Sequence, residues 1–285
     1  MKILLCSKND LFGALILNWF LPKLHGHQVR VLLSDKTRPA ENDVLELADE
    51  KFFERDLPIG MIFPSLDRLG ETGALLTFKG LAAKHGIDIS LIDDINSAAS
   101  ERDIGDWAPD VIISARFSLI FKQAILQIPR FGSYNIHPGA LPAYGGLYAP
   151  FRALLNRDAQ LGCTLHQIDL GIDTGPIHSV SMLTAEPTRS LFWHIGELYP
   201  LGLAKMLELL DHLAAGKAPV LEPQDKAAFH YYKLPVAQDF VRFRALGMRA
   251  IDLNDYRKLL DGFSADRPLS WLDDAVSADR LARVA

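Results

Sequence analysis

Asn135-Ile136-His137-Pro138-Gly139 sets an amide and an imidazole two residues apart, and Pro and Gly then break the backbone. A few dozen residues on, Asp169-Leu170-Gly171-Ile172-Asp173-Thr174-Gly175-Pro176 presents a carboxylate on a glycine-flanked loop. An Asn amide can donate to a carbonyl oxygen as it becomes an oxyanion. A His can donate beside it, or collect the proton of an attacking amine. Asp173 near the imidazole would favour the ring's charged form and fix its orientation, directly or through a water. Together these groups suit acyl transfer. Taken singly, each has an ordinary structural explanation: Asn135 capping a turn, His137 in the core, Asp173 in an Asx turn. Their joint occurrence at two glycine-marked turns favours the chemical reading.

Such groups need elements that aim them. Lys2 to Ser7 reads as a buried strand, Leu11 to Leu24 as a helix against it, and His27 to Ser34 as a second strand. Leu75 to His85 has helical character and leads through Gly86 into a strand at Ile87 to Ile92. A helix at Ser97 to Trp107 precedes a strand at Val111 to Ser114, and a short helix at Lys122 to Gln127 precedes a strand at Gly132 to His137. Strands alternating with helices imply an α/β fold with a parallel sheet and helices on both faces. Ligands on such sheets bind beyond the carboxyl ends of the strands, where the motif residues fall. Residues two apart in a strand share a face, so Asn135 and His137 would project together. Beyond Pro176 a strand is expected at Ile177 to Met182, a long amphipathic helix at Ser190 to Ala215 stopped by Gly216, and a helix at Ala237 to Leu246. Residues 36–74 are polar and irregular and receive no assignment, and a charged tail follows Asp266.

Composition removes several function classes. The chain has 285 residues, 49% hydrophobic and 23% charged, with a formal net charge of −5. That fits a soluble globular protein of one large domain, or a main domain with an appendage. No polybasic run marks a nucleic-acid footprint. The first strand is followed by Ser7-Lys8-Asn9-Asp10 rather than G-x-G-x-x-G, so a nicotinamide dinucleotide fold has no support beyond the alternation. Cys6 and Cys163 form no C-x-x-C pair and read as buried, inert thiols. His166, His178 and His194 are scattered without ligand spacing, so no metal is expected. His230 beside Tyr231-Tyr232 could line a pocket, although such a cluster is more often simply packed. The apolar run at Phe12 to Leu24 is shorter than the roughly 20 residues of a membrane span. It reads as a buried helix, and the cytoplasm is the expected location.

Three longer stretches carry a resemblance. They are Phe121-Lys122-Gln123-Ala124-Ile125-Leu126-Gln127-Ile128-Pro129-Arg130-Phe131-Gly132, then N-I-H-P-G-A-L-P-A-Y-G-G at 135–146, then G-C-T-L-H-Q-I-D-L-G-I-D-T-G-P-I at 162–177. With them, Val111 to Tyr232 resembles the 10-formyltetrahydrofolate-dependent formyltransferases: the methionyl-tRNA, glycinamide ribonucleotide and amino-sugar enzymes. The resemblance implies a Rossmann-like, mostly parallel sheet, with a catalytic domain over residues 1–215 and a short C-terminal extension over 216–285. It implies Asn135, His137 and Asp173 as catalytic residues. Leu119, Ile120 and Phe121, with Asp169, Leu170, Gly171, Ile172 and Asp173, would line the pocket for 10-formyltetrahydrofolate. An amine would attack the formyl carbon, Asn135 and His137 would stabilise the tetrahedral intermediate, and Asp173 would assist proton removal.

Relatives commonly carry Arg or Lys after the L-P-x-Y/W segment, where this chain has Gly145-Gly146. That removes a cation near the mouth. The stretch from Tyr231-Tyr232-Lys233-Leu234-Pro235 into Asp239-Phe240-Val241-Arg242-Phe243 is more similar to the amino-sugar group, so the expected partner is a small amine, first a nucleotide-linked amino sugar. A hydroxyornithine-type amino acid, a methionyl-tRNA, or water in a deformylase are the alternatives. A homodimer stays open.

Overall fold

Alternate residues of the first strand enter opposite cores. Ile3 and Leu5 join one buried apolar cluster, while Leu4 and Cys6 join a second one with Leu32, Ile104 and Ile112. A strand covered on both faces must be apolar throughout, as this one is. The computed structural model describes residues 1–70 and 73–264 together with Val276 and Arg280. The charged tail beyond Asp266 thus lies outside the described residues, apart from those two.

β1 (Lys2–Lys8) leads into α1 (Leu11–Phe20), whose start is fixed by Asp10 accepting the Gly13 N–H at 2.8 Å. A Cβ at Gly13 would lie 1.9 Å from the Lys8 carbonyl oxygen, so glycine lets the helix rest on the strand end. The expected helix stops short of Leu24, because Pro22 lacks an N–H and Leu21–Lys23 tightens into a 3-10 turn. There follow β2 (Gln28–Ser34), α2 (Leu45–Lys51), α3 (Phe63–Leu69), α4 (Phe78–His85), β3 (Asp88–Ile92), α5 (Ala98–Trp107), β4 (Val111–Ala115), α6 (Gln123–Leu126) and β5 (Ser133–His137). Then come β6 (Gly145–Gly146), α7 (Ala149–Leu155), β7 (Gln160–Gln167), β8 (Ile177–Thr184), α8 (Leu191–Ala214), β9 (Tyr231–Tyr232), α9 (Ala237–Ala245) and α10 (Leu253–Asp261). The unassigned stretch after residue 36 is helical over much of its length. Wide π-type turns at Phe52–Asp56 and Pro58–Ile62 join α2 to α3, where Pro58 withdraws a donor from the ladder.

Seven strands form one sheet in the order β3-β2-β1-β4-β5-β7-β8. The first five are parallel, and β7 is antiparallel to both β5 and β8. The sheet is therefore mostly parallel and Rossmann-like, with its strand order reversing beside β1 and β4, where ligands settle on such sheets. α8 holds β5 and β7 from one side. Its Gly202 is so close that a Cβ there would lie 2.4 Å from Ile136 Cγ2 and 2.7 Å from Cys163 Sγ.

Described residues after 216 brace this body. β9 pairs with β6, and Phe240 and Phe243 of α9 set their rings 4.9 and 4.6 Å from that of Phe151 on α7. Asp255 of α10 accepts both the N–H and the hydroxyl of Ser190, the cap of α8, at 2.9 Å. Both cysteines are buried and unpaired, and burial pushes the Cys163 thiol up to about 12. Among the described residues, no helix is long and apolar enough to cross a membrane.

Candidate active site

β5 delivers Asn135 and His137 to one face at its carboxyl end. The antiparallel register with β7 then sets His166 directly opposite Asn135. Residues opposed in this way share a face. The Asn135 Nδ2 lies 3.2 Å from His166 Nε2 and 3.5 Å from Asp173 Oδ1. His137 Nδ1 lies 3.6 Å from Asp173 Oδ2, and His166 Nε2 lies 3.6 Å from Asp173 Oδ1. The expected trio thus meets around one carboxylate, with His166 as a fourth member.

The tautomers follow from the carbonyls on the far edges of both rings. His137 Nε2 donates to the Tyr144 carbonyl at 2.7 Å, which leaves Nδ1 facing Asp173. His166 Nδ1 donates to the Gln167 carbonyl at 3.0 Å, which turns Nε2 toward the Asn135 amide and Asp173.

Asp173 stands in the left-handed region at φ 56, a conformation the surrounding turn imposes. Asp169 accepts the Gly171 N–H at 3.0 Å and the Thr174 hydroxyl at 2.7 Å. Gln224 ties the same turn down by donating to the carbonyls of Asp173 and Gly175 at 2.8 and 2.7 Å. The Gly146 N–H donates to Asp173 Oδ2 at 2.8 Å. Burial alone would push the Asp173 carboxyl up, but His137, His166 and this N–H together hold it well below the usual carboxylate range.

Gly145-Gly146 therefore does more than leave out a cation. Gly146 has φ +89, and a Cβ there would lie 2.4 Å from the Tyr232 carbonyl oxygen. Only glycine fits between β9 and the carboxylate while still donating to it. Beside it, the rings of Tyr144 and Tyr232 stack at 5.6 Å, and His230 sits 4.3 Å from Tyr232. His230 packs edge-on against Tyr232, whereas Tyr231 lines the cavity.

The cavity measures about 310 Å³ and takes in Asn135, His137, His166 and Asp173. Leu119, Ile120 and Phe121 line it, as do Asp169, Gly171 and Ile172. The backbone of the first segment is pinned where Asn96 donates to the Ile120 carbonyl at 2.8 Å. Leu170 departs from expectation: its side chain is 67% exposed and does not line the cavity. Glu50, Glu54, Arg116 and Tyr148 also line it, and sequence reasoning missed them. His166 carried no local signal, since its place opposite Asn135 depends on the pairing of β7 with β5. Glu50 and Glu54 come from the unassigned stretch and carried none. His178 and His194 bond elsewhere, to the Val220 carbonyl and the Glu186 N–H. Among the described residues, no group of three or more His, Cys, Asp and Glu could hold a metal ion.

A half-buried amide, two imidazoles and a carboxylate meeting beyond the carboxyl ends of a Rossmann-like sheet can stabilise an oxyanion and move a proton. The family model described as "Formyl transferase" matches residues 94–191. The methionyl-tRNA formyltransferase of Methylacidiphilum infernorum (isolate V4) is 36% identical over 155 residues, 54% of this chain and 48% of that protein. That of Dehalococcoides mccartyi (strain CBDB1) is 32% identical over 151 residues, 53% of this chain and 48% of that one. The chain thus spans about half the length of the curated relatives it matches. Among solved structures, a 4-N formyltransferase from Francisella tularensis has a TM-score of 0.56 at 15% identity, covering 88% of each chain. Glycinamide ribonucleotide transformylase 1 from Symbiobacterium toebii has 0.54 at 16%, covering 79% of this chain and 94% of that one. At such identities the likeness is one of fold.

Proposed function

We propose that the protein is an N-formyltransferase that moves a formyl group from 10-formyltetrahydrofolate to the amine of a small acceptor. The observation that carries this reading is the convergence of Asn135, His137 and His166 on Asp173 inside one cavity. The cavity's apolar wall at Leu119, Phe121, Ile168 and Ile172, with pinned backbone between, suits a flat heterocycle of the pterin kind. Asn135 Nδ2 would exchange its long 3.5 Å contact with Asp173 for a hydrogen bond to the formyl oxygen as charge grows there. A proton on His137 Nδ1 would stabilise the same oxygen, because Nε2 is committed to Tyr144. Asp173, held so far toward its ionised form, is a weak base. Its main part is the charge opposite His137, and it accepts the amine's proton only in passing. His166 keeps the Asn135 amide turned the right way.

On this reading residues 1–215 form the catalytic unit and 216–285 an extension that braces it. A nucleotide-linked amino sugar is the first acceptor to try. A methionyl-tRNA is the second, because the matched relatives carry that name. The test is a screen of amino sugars, nucleotide-linked amino sugars, amino acids and charged tRNA with 10-formyltetrahydrofolate, read by mass spectrometry. Gain of one formyl group on an amine is the expected result. Formate release unchanged by every amine would instead favour a deformylase, and no consumption of the donor at all would defeat the proposal.

A further inference from the structure

A second set of buried carboxylates faces the same cavity. Glu50 lies in α2 and Glu54 one turn on, so both point to one side of the helix. Arg116 pairs with Glu54 at 2.5 Å and with Asp10 at 2.7 Å. Glu50 receives no such partner. Its residue is only 1% exposed, its Oε1 is buried without a hydrogen bond, and no cation among the described residues lies within ion-pair distance. Lys51 beside it turns instead to Asn42 and Asp56. Burial and then Glu54 push the Glu50 carboxyl well above the usual carboxylate range, against the Tyr148 hydroxyl and Arg116, with Glu46 adding to the rise. An uncompensated buried carboxylate is costly, and proteins keep one where a ligand supplies the missing charge.

We propose that Glu50 anchors the acceptor: its unpartnered oxygen receives the amino group in the ammonium form in which an amine travels at neutral pH, and so selects aminated molecules over neutral ones of the same skeleton. This rests on the amine-acceptor reading above. Tyr148, which interacts with the Glu50 carboxyl, is two residues from Gly146, whose N–H holds Asp173. Anchor and reaction centre therefore share one short stretch of chain. As the ammonium enters, the proton that burial keeps on the Glu50 carboxyl leaves to solvent; passing one proton from the ammonium to the resulting carboxylate then leaves a neutral amine and a neutral carboxyl, the pair that burial favours and the amine form that can attack.

The test needs neither folate nor turnover, so its failure is distinct from a failure of formyl transfer. The full chain is titrated at neutral pH with glucosamine against glucose, and with galactosamine against galactose. In at least one pair the aminated member should bind about tenfold more tightly, and Glu50→Gln should narrow the preference to about twofold. No preference in the wild type overturns the proposal, as does a preference that survives in a folded Glu50→Gln protein. Should that variant not fold, the wild type still decides through carbon-13 labelling of its Glu carboxyls. The most strongly raised Glu resonance should move with the aminated member alone, and a signal indifferent to it, or moved equally by both, overturns the proposal.

Discussion

Two buried carboxylates in one cavity are driven in opposite directions. Asp173 has two imidazoles and a backbone N–H around it and is held toward its ionised form. Glu50 has a Tyr hydroxyl, a like-charged Glu54 and an arginine already committed elsewhere, and is held toward its neutral form. Burial is common to both, so it cannot be what separates them; the partners decide. One wall of the cavity is finished before a ligand arrives. The other is short of a cation.

The largest effects should come from the finished wall. His137→Ala or Asp173→Asn is expected to lower turnover by ~10²–10⁴-fold with unchanged circular dichroism, the scale for acid–base groups. Turnover near wild type in either variant would break the assignment. Gly146→Ala should come next. Its methyl group meets the Tyr232 carbonyl, so the donor to Asp173 must shift, and displacement on the order of 1 Å costs up to about 100-fold in rate. Kinetics together with a melting curve would show whether rate falls further than stability does.

Stability against pH sharpens the contrast, because the two carboxylates should give opposite signs. The depressed Asp173 contributes stability above its ordinary value of about 3.9 and loses it as pH falls further toward its folded value. The margin of wild type over Asp173→Asn should therefore shrink between about pH 5 and pH 2. Glu50 is raised, so its contribution is complete below about 4.3 and is lost as pH rises through the folded value. Glu50→Gln should accordingly gain on wild type from acid to neutral pH. Urea unfolding of the three proteins at several pH values checks both signs, and parallel curves would erase the distinction. The smallest effect calibrates the rest: Lys205→Ala, which breaks an exposed pair with Glu208 on α8, should cost under ~0.5 kcal/mol.

The sequence carried the parts of this picture that depend on period and on local punctuation. β1, β2 and β4 hold short runs of Val, Ile and Leu bounded by turn residues, and they were legible as such. Asn135 and His137 were readable as a pair because strand geometry alone places them on one face. β7 was not, since Gly162 interrupts the run and the strand is buried on both sides, which removes the alternation of apolar and polar residues. With β7 went His166, whose place depends on register across an antiparallel pair rather than on anything local. The helices between residues 45 and 69 were hidden by their two π-type turns, which interrupt the 3.6-residue period, and Glu50 and Glu54 were hidden with them. Gly146 looked like a lost cation, and its N–H bond to Asp173 is visible only once β9 closes over it.

Single-turnover conversion of 10-formyltetrahydrofolate to tetrahydrofolate, with the acceptor mixture present, tests the central claim most directly when wild type and Asp173→Asn are compared. The account predicts conversion by the wild type with formyl recovered on an amine, and slowing by at least about 100-fold in the variant while the donor still binds. Equal rates in the two proteins would contradict it.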